Sequence, residues 1–136
     1  MTDDNPTRRR SAAINDTLGA TFIDGHAEQG WIRIRYLGTE AFDNSSGLIQ
    51  GGILAAMLDN AMSRAVLQRL DDGQIIQTLE MKTTFIGPAP IGPVVCEGQV
   101  VRQGRSIVFL EGRLFNEAGD LLVTASSTAK LGVRKR

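Results

Sequence analysis

Residues 31–36 (Trp-Ile-Arg-Ile-Arg-Tyr) alternate apolar and charged side chains. A period of two is that of a strand with one face in solvent. A shorter strand is predicted before it at 20–26, with a turn at 28–30, and residues 11–18 read as a short helical turn. Residues 1–10 are polar and read as loose, and residues 38–47 are turn-rich. From Gly51 the period changes. Leu54, Met57, Leu58, Ala61, Met62 and Ala65 recur every three or four residues, which predicts one long amphipathic helix over about 51–70. Asp71, Asp72 and Gly73 end it. Four strands follow. The first, 75–86, has Leu79, Met81 and Phe85 on one face, and the others run over 94–102, 107–115 and 121–131. In the last, Leu121, Val123 and Ala125 face one side and Thr124, Ser126 and Thr128 the other. Residues 87–93, with three prolines and two glycines, read as a tight loop. Gln103–Gly104 and 116–120 are turns. Consecutive strands on short turns favour an antiparallel sheet, and one helix can cover one of its faces, giving an α+β domain. The other face, or an edge, is free for a second subunit. No internal repeat or linker divides the chain.

A length of 136 residues suits one domain. With 42% hydrophobic and 22% charged residues the chain can build a core. Fifteen basic and fifteen acidic residues cancel, which argues against a broad nucleic-acid footprint. The ends are basic, at Arg8-Arg9-Arg10 and Arg134-Lys135-Arg136. They read as solvated tails, or, at the C-terminal end, as help in holding phosphates. Cys96 stands alone and reads as a small buried hydrophobe in a strand. One His and one Cys cannot make a zinc site of the usual composition, so no metal or cofactor is expected. No apolar run reaches the ~18 residues of a membrane span, and the N-terminus has no secretory pattern. The default is a soluble cytoplasmic protein without membrane partners.

The stretch 44–63 carries the chemistry. Its helix opens on Gly51 and Gly52, poor helix formers. The first N–H groups of a helix lack internal partners and carry partial positive charge. Glycine lets a ligand oxygen reach them without meeting a Cβ; close packing against the sheet is the alternative reason. Gly52, Ala55, Ala56, Asp59 and Ser63 form a stripe of small residues beside the bulky face. Room is left above the Asp59 carboxylate for a close strand, a partner subunit or a ligand. Asp59 is then either a hydrogen-bonded structural group or an acid facing a cleft. Asn44 and Gln50 flank the preceding turn; each is also an ordinary residue for a turn or a helix start.

These residues resemble a family, the hotdog-fold acyl-CoA thioesterases, and especially the PaaI-type branch. That branch carries an Asn, then six residues later a His-Gly-Gly opening the central helix, then an acid nine residues after the His. Here Asn44, Gln50-Gly51-Gly52 and Asp59 have those spacings. Residues 78–89, with their Pro-Ala ending, resemble the strand after the helix, and the resemblance spans 18–132. It implies one hotdog domain over 18–133, with a helix wrapped by five to six antiparallel strands. A flexible segment or short helix precedes it at 1–17, and a basic tail follows at 134–136.

The resemblance also implies an acyl-CoA thioesterase. The Gly51 N–H would polarise the thioester carbonyl, and Asp59 would act as general base or nucleophile. Asn44 and Gln50 would orient water or carboxylate, and Thr78 would supply a hydroxyl near the water. Gly52 and Ser63 would line the substrate. Lys82 and Arg105, with Arg134 and Lys135, would meet CoA phosphates, and the 87–93 loop could border the pantetheine channel. Two subunits would pair sheets edge to edge with helices antiparallel, so that Gly51 of one meets Asp59 of the other, in a homodimer or a dimer of dimers. Gln50 replaces the family's His and cannot take a proton near neutral pH. Two alternatives follow: a non-catalytic acyl-CoA-binding protein, or a hotdog hydratase or dehydratase, which usually needs a His. The only histidine, His26, lies outside the motif and reads as a surface or edge residue. The acyl group is not legible from the residues.

Overall fold

The computed structural model describes residues 12–134. Helix α1 (Ala13–Thr17) leads into β1 (Thr21–His26) and β2 (Trp31–Gly38). One turn of 3-10 helix (Glu40–Phe42) precedes the long helix α2 (Gly51–Leu67). Then come β3 (Gln74–Phe85), β4 (Gly92–Gln103), β5 (Ile107–Asn116) and β6 (Leu121–Val133). The strands form one antiparallel sheet in the order β1-β2-β4-β5-β6-β3. The connection through α2 carries the chain from β2 to the far edge, so β3 lies beside β6. This is the hotdog arrangement, one long helix against a six-stranded sheet.

The core is where the periodicities place it. Leu54, Met57, Leu58, Ala61, Met62 and Ala65 are all buried on α2. They meet Ile34 and Tyr36 of β2, Cys96 of β4, Leu114 of β5 and Val123 and Ala129 of β6. Each fully buried large aliphatic side chain contributes about 1.5–3 kcal/mol relative to leaving it in water. The helix lies closest at β4, where a Cβ on Gly98 would stand 2.5 Å from the Ala61 carbonyl oxygen. No side chain fits there, so glycine sets the seat of the helix. The outer face carries a row of ion pairs, Asp24–Arg33–Glu97–Arg113, half-exposed and individually worth little.

Four expectations need correction. First, α2 ends at Leu67 rather than near Leu70. The Gln68 Nε2 donates to the Ala65 carbonyl, and the Arg69 and Leu70 N–H groups turn to Val66 and Leu67. The last turn therefore tightens. Second, Gly92 and Pro93 belong to β4 and pair with Gly38 and Leu37; a proline is tolerated at a strand's start. Third, Leu79 does not share a buried face with Met81. A bulge between Thr78 and Glu80 leaves Leu79 out of register and 53% exposed. Fourth, Leu121 is partly exposed and Leu122 is buried instead, next to a register break at Leu114 and Phe115. Short α1 falls within the expected helical turn, whereas Arg8, Arg9, Arg10, Lys135 and Arg136 lie outside the described residues.

Candidate active site

The chain enters α2 through a tightly braced turn. The Asp43 carboxylate accepts from the Ser45 and Gly47 N–H groups, and the Asn44 Oδ1 accepts from Ser46 N–H at 2.9 Å. Ser45 and Gly47 have φ of 80° and 75°, as the reversal requires. Buried Ile49 donates its N–H to Ala89, and Gln50 donates its own to Phe42. The 87–93 loop thus holds the start of the helix in place. Gln50 is the N-cap residue; its carbonyl accepts from Ile53 and Leu54, while its exposed side chain caps nothing.

The Gly51 and Gly52 N–H groups reach no acceptor among the described residues. The two glycines differ. A Cβ on Gly51 would press on the Phe85 ring at 3.3 Å, whereas one on Gly52 would meet nothing within 4 Å. Packing accounts for the first glycine and not for the second.

Asp59 is half-buried two turns further on. Its Oδ1 accepts from the Thr78 hydroxyl at 2.7 Å, and no cation pairs with it among the described residues. Thr78 stands where β3 bulges, opposite Ala129 of β6, which directs its hydroxyl at the helix. Ala55, Ala56 and Ser63 lie half-buried along the same side of α2. Gly51 and Asp59 are eight residues apart, about 12 Å along a helix axis. One protomer therefore cannot bring the Gly51 amide and the Asp59 carboxylate onto a single carbonyl.

The other expected residues are more dispersed. Asn44 serves the turn before the helix. Lys82 is exposed on the sheet face turned away from α2, beside Thr84, Glu111 and Ser126. Arg105 is exposed in the β4–β5 turn, where Ser106 accepts from Leu131 N–H. That is the end of the sheet opposite Phe85 and Gly51. His26 ends the edge strand β1 and accepts from Gln29 N–H. Buried Cys96 lies in β4, and its burial pushes the thiol well above its ordinary value. Among the described residues, no cluster of His, Cys, Asp and Glu could hold a metal, and no helix is long and apolar enough to cross a membrane.

Two features had no counterpart in the sequence reading. The Tyr36 hydroxyl donates to Asn60 Oδ1 at 2.6 Å, and Asn60 Nδ2 donates to Asn15 Oδ1 at 2.9 Å. This chain ties β2, α2 and α1 together. Beside it opens a cleft of about 670 Å³ over the C-terminal half of α2, with Asn60, Ser63 and Arg64 in its lining. A lone tyrosine on an alternating strand and an Asn next to the acid were the only available signals.

Residues 46–123 match the family model described as Thioesterase superfamily. The human protein named acyl-coenzyme A thioesterase 13 is 30% identical over 95 residues, 68% of this chain and 67% of its own. A phenylacetic acid degradation-related protein from Ralstonia eutropha JMP134 has a similar structure at a TM-score of 0.85. It is 33% identical, with 89% of this chain and 91% of that one covered. The E. coli PaaI protein from the phenylacetic acid degradation operon shares the fold at a TM-score of 0.75 and 18% identity, over 88% and 83% of the two chains.

Proposed function

The chain belongs to the thioesterase superfamily and is a thioester hydrolase; from that premise we propose that it cleaves an acyl- or aryl-CoA to the free acid and CoA, with Asp59 as the working carboxylate. The observation that carries this reading is the Asp59–Thr78 pair. The carboxylate is half-buried, oriented by one hydroxyl at 2.7 Å, and without a counter-ion among the described residues, beside a stripe of small residues.

Two copies complete the site. Edge strand β3 pairs with its equivalent, the α2 helices run antiparallel, and Gly51 of one protomer reaches Asp59 of the other. The thioester carbonyl oxygen accepts from the Gly51 N–H, where the helix dipole adds to the stabilisation of developing charge. On the general-base route, Asp59 takes a proton from water as its oxygen bonds to the carbonyl carbon. The C–S bond then breaks, and the CoA thiolate recovers the proton. On the nucleophilic route, Asp59 itself bonds to the carbonyl carbon and expels CoA, and water cleaves the mixed anhydride. Asn44 and Gln50 orient the water or carboxylate at the mouth of the site. Gly52 and Ser63 leave room for the acyl thioester, whereas Lys82, on the outer face of the sheet, and Arg105, at the end opposite Gly51, stand away from it within one chain. The human relative named an acyl-coenzyme A thioesterase supports CoA as the leaving group.

Asp59→Asn is expected to lower kcat by about 10²–10⁴-fold in a steady-state assay over a panel of acyl-CoAs. Retention of wild-type turnover would remove Asp59 from the mechanism. Label found in the Asp59 carboxylate after a single turnover in ¹⁸O-water would establish the nucleophilic route, with water attacking the Asp59 carbonyl carbon of the anhydride.

A further inference from the structure

We propose that the cleft over the C-terminal half of α2 receives the acyl group, and that Arg64 makes it selective for acyl chains ending in a carboxylate. The inference rests on Asp59 marking the reacting carbonyl. The acid–hydroxyl pair sits at the threshold of the cleft. Ser63, one turn past Asp59 on the same helix face, lines it, and so does Ile76, two residues before Thr78 on the same strand face. Four helical residues or two strand residues each advance about 6–7 Å. Both elements therefore lead from the carbonyl position into the same opening.

Most of the wall suits methylene groups, with Phe22 from β1, Leu67 and Leu70 from the end of α2, and Ile75 and Ile76 from β3. Its polar groups are largely spent on the protein. Asn60 is engaged at both ends of its carboxamide, by Tyr36 and Asn15. The Gln68 Nε2 donates to the Trp31 and Ala65 carbonyls. Asp72 and Arg134 bring opposite charges to the lining.

Arg64 differs. It is half-buried, and its side chain forms no hydrogen bond or ion pair with any described residue. Its planar fork matches a carboxylate with two parallel hydrogen bonds, which neither a hydroxyl nor a methyl end group can accept. Arg64 lies five residues past Asp59, about 7.5 Å along the axis and about 140° round it, so the chain of a dicarboxylic half-thioester crosses the outer face of α2, past Ser63 and Leu67, to reach the guanidinium.

The test measures kcat/KM of the full-length protein on adipyl-, hexanoyl- and 6-hydroxyhexanoyl-CoA. Wild type is expected to favour adipyl-CoA over hexanoyl-CoA by about tenfold or more, as for a hydrogen-bonded charged group. Arg64→Met brings that ratio to about one or below, and Arg64→Lys keeps part of it. Where Arg64→Met does not fold, inhibition of wild type by adipate but not by hexanoate reads the same preference. A wild-type preference for hexanoyl-CoA overturns the proposal, as does equal use of the hydroxyl compound or an Arg64→Met ratio unchanged from wild type. Turnover retained by Asp59→Asn strikes the Asp59 reading alone and leaves the Arg64 ratio to be judged separately.

Discussion

At Gly52 the protein omits a side chain that its own packing would accept. Nothing stands within 4 Å of the position a Cβ would take, and alanine is the better helix former by up to about 1 kcal/mol. Gly52→Ala is therefore expected to leave thermal stability equal or slightly raised. The methyl group would stand over the amides that have no acceptor among the described residues, so on the proposed mechanism kcat is expected to fall. Thermal unfolding and steady-state turnover, measured on one preparation, check both directions. Reduced stability with unchanged turnover would mean the glycine serves the fold. Gly51 makes no such separation, because its missing Cβ also spares the Phe85 ring.

Among the elements, β3 has the most unusual position. It is twelve residues long, it forms one edge of the sheet, and it exposes Leu79 and Phe85 at 53% and 51%, with Ile86 just beyond it at 58%. A long apolar edge is a template for pairing with another chain. On the proposed two-copy site, Leu79→Lys, at the bulge, is expected to shift sedimentation toward monomer and to lower turnover in parallel. Loss of assembly with full activity would show the site to be complete in one protomer. The elements also show how far the sequence was legible. The faces of β2 and α2 could be read because each is buried on one side, so its period survives in the residue order. The glycines and Asp59 could be read because spacing along one helix fixes their geometry. The bulge at Leu79 could not, because it arises from pairing with β6, some fifty residues away. The same holds for the partnering of Tyr36, Asn60 and Asn15 and for the lack of a hydrogen bond or ion pair from the Arg64 side chain to any described residue. Arg64 sits near a helix C-terminus, where a cation is ordinary, and only the approach of both sheet edges to α2 turns that position into the wall of a cleft.

On the scale of the whole molecule, two buried acids make stability depend on alkaline pH. Burial pushes the Tyr36 phenol far above its ordinary 10.0; nearby Cys96 adds to the shift and Arg64 opposes it. Burial likewise raises the Cys96 thiol above 9.0. A group whose folded value is raised contributes stability that is whole below its unfolded value and is lost as pH climbs toward the folded one. Chemical denaturation followed by circular dichroism should thus be flat to about pH 9 and then decline, by at most about 1.4 kcal/mol per pH unit per group. In Cys96→Ala the onset should move to about pH 10, where unfolded tyrosine begins to ionise; an onset that does not move would assign the decline to other groups. The seat of α2 on Gly98 bears on how this scaffold can diversify. With the helix backbone resting directly on β4, there is no slack by which the acid could be slid or tilted relative to its threonine. With the acyl group placed as proposed, a descendant of this chain that takes a different acid is free to re-upholster the two margins of the wrap, at Phe22 and Ile75, while the axle between them stays where it is.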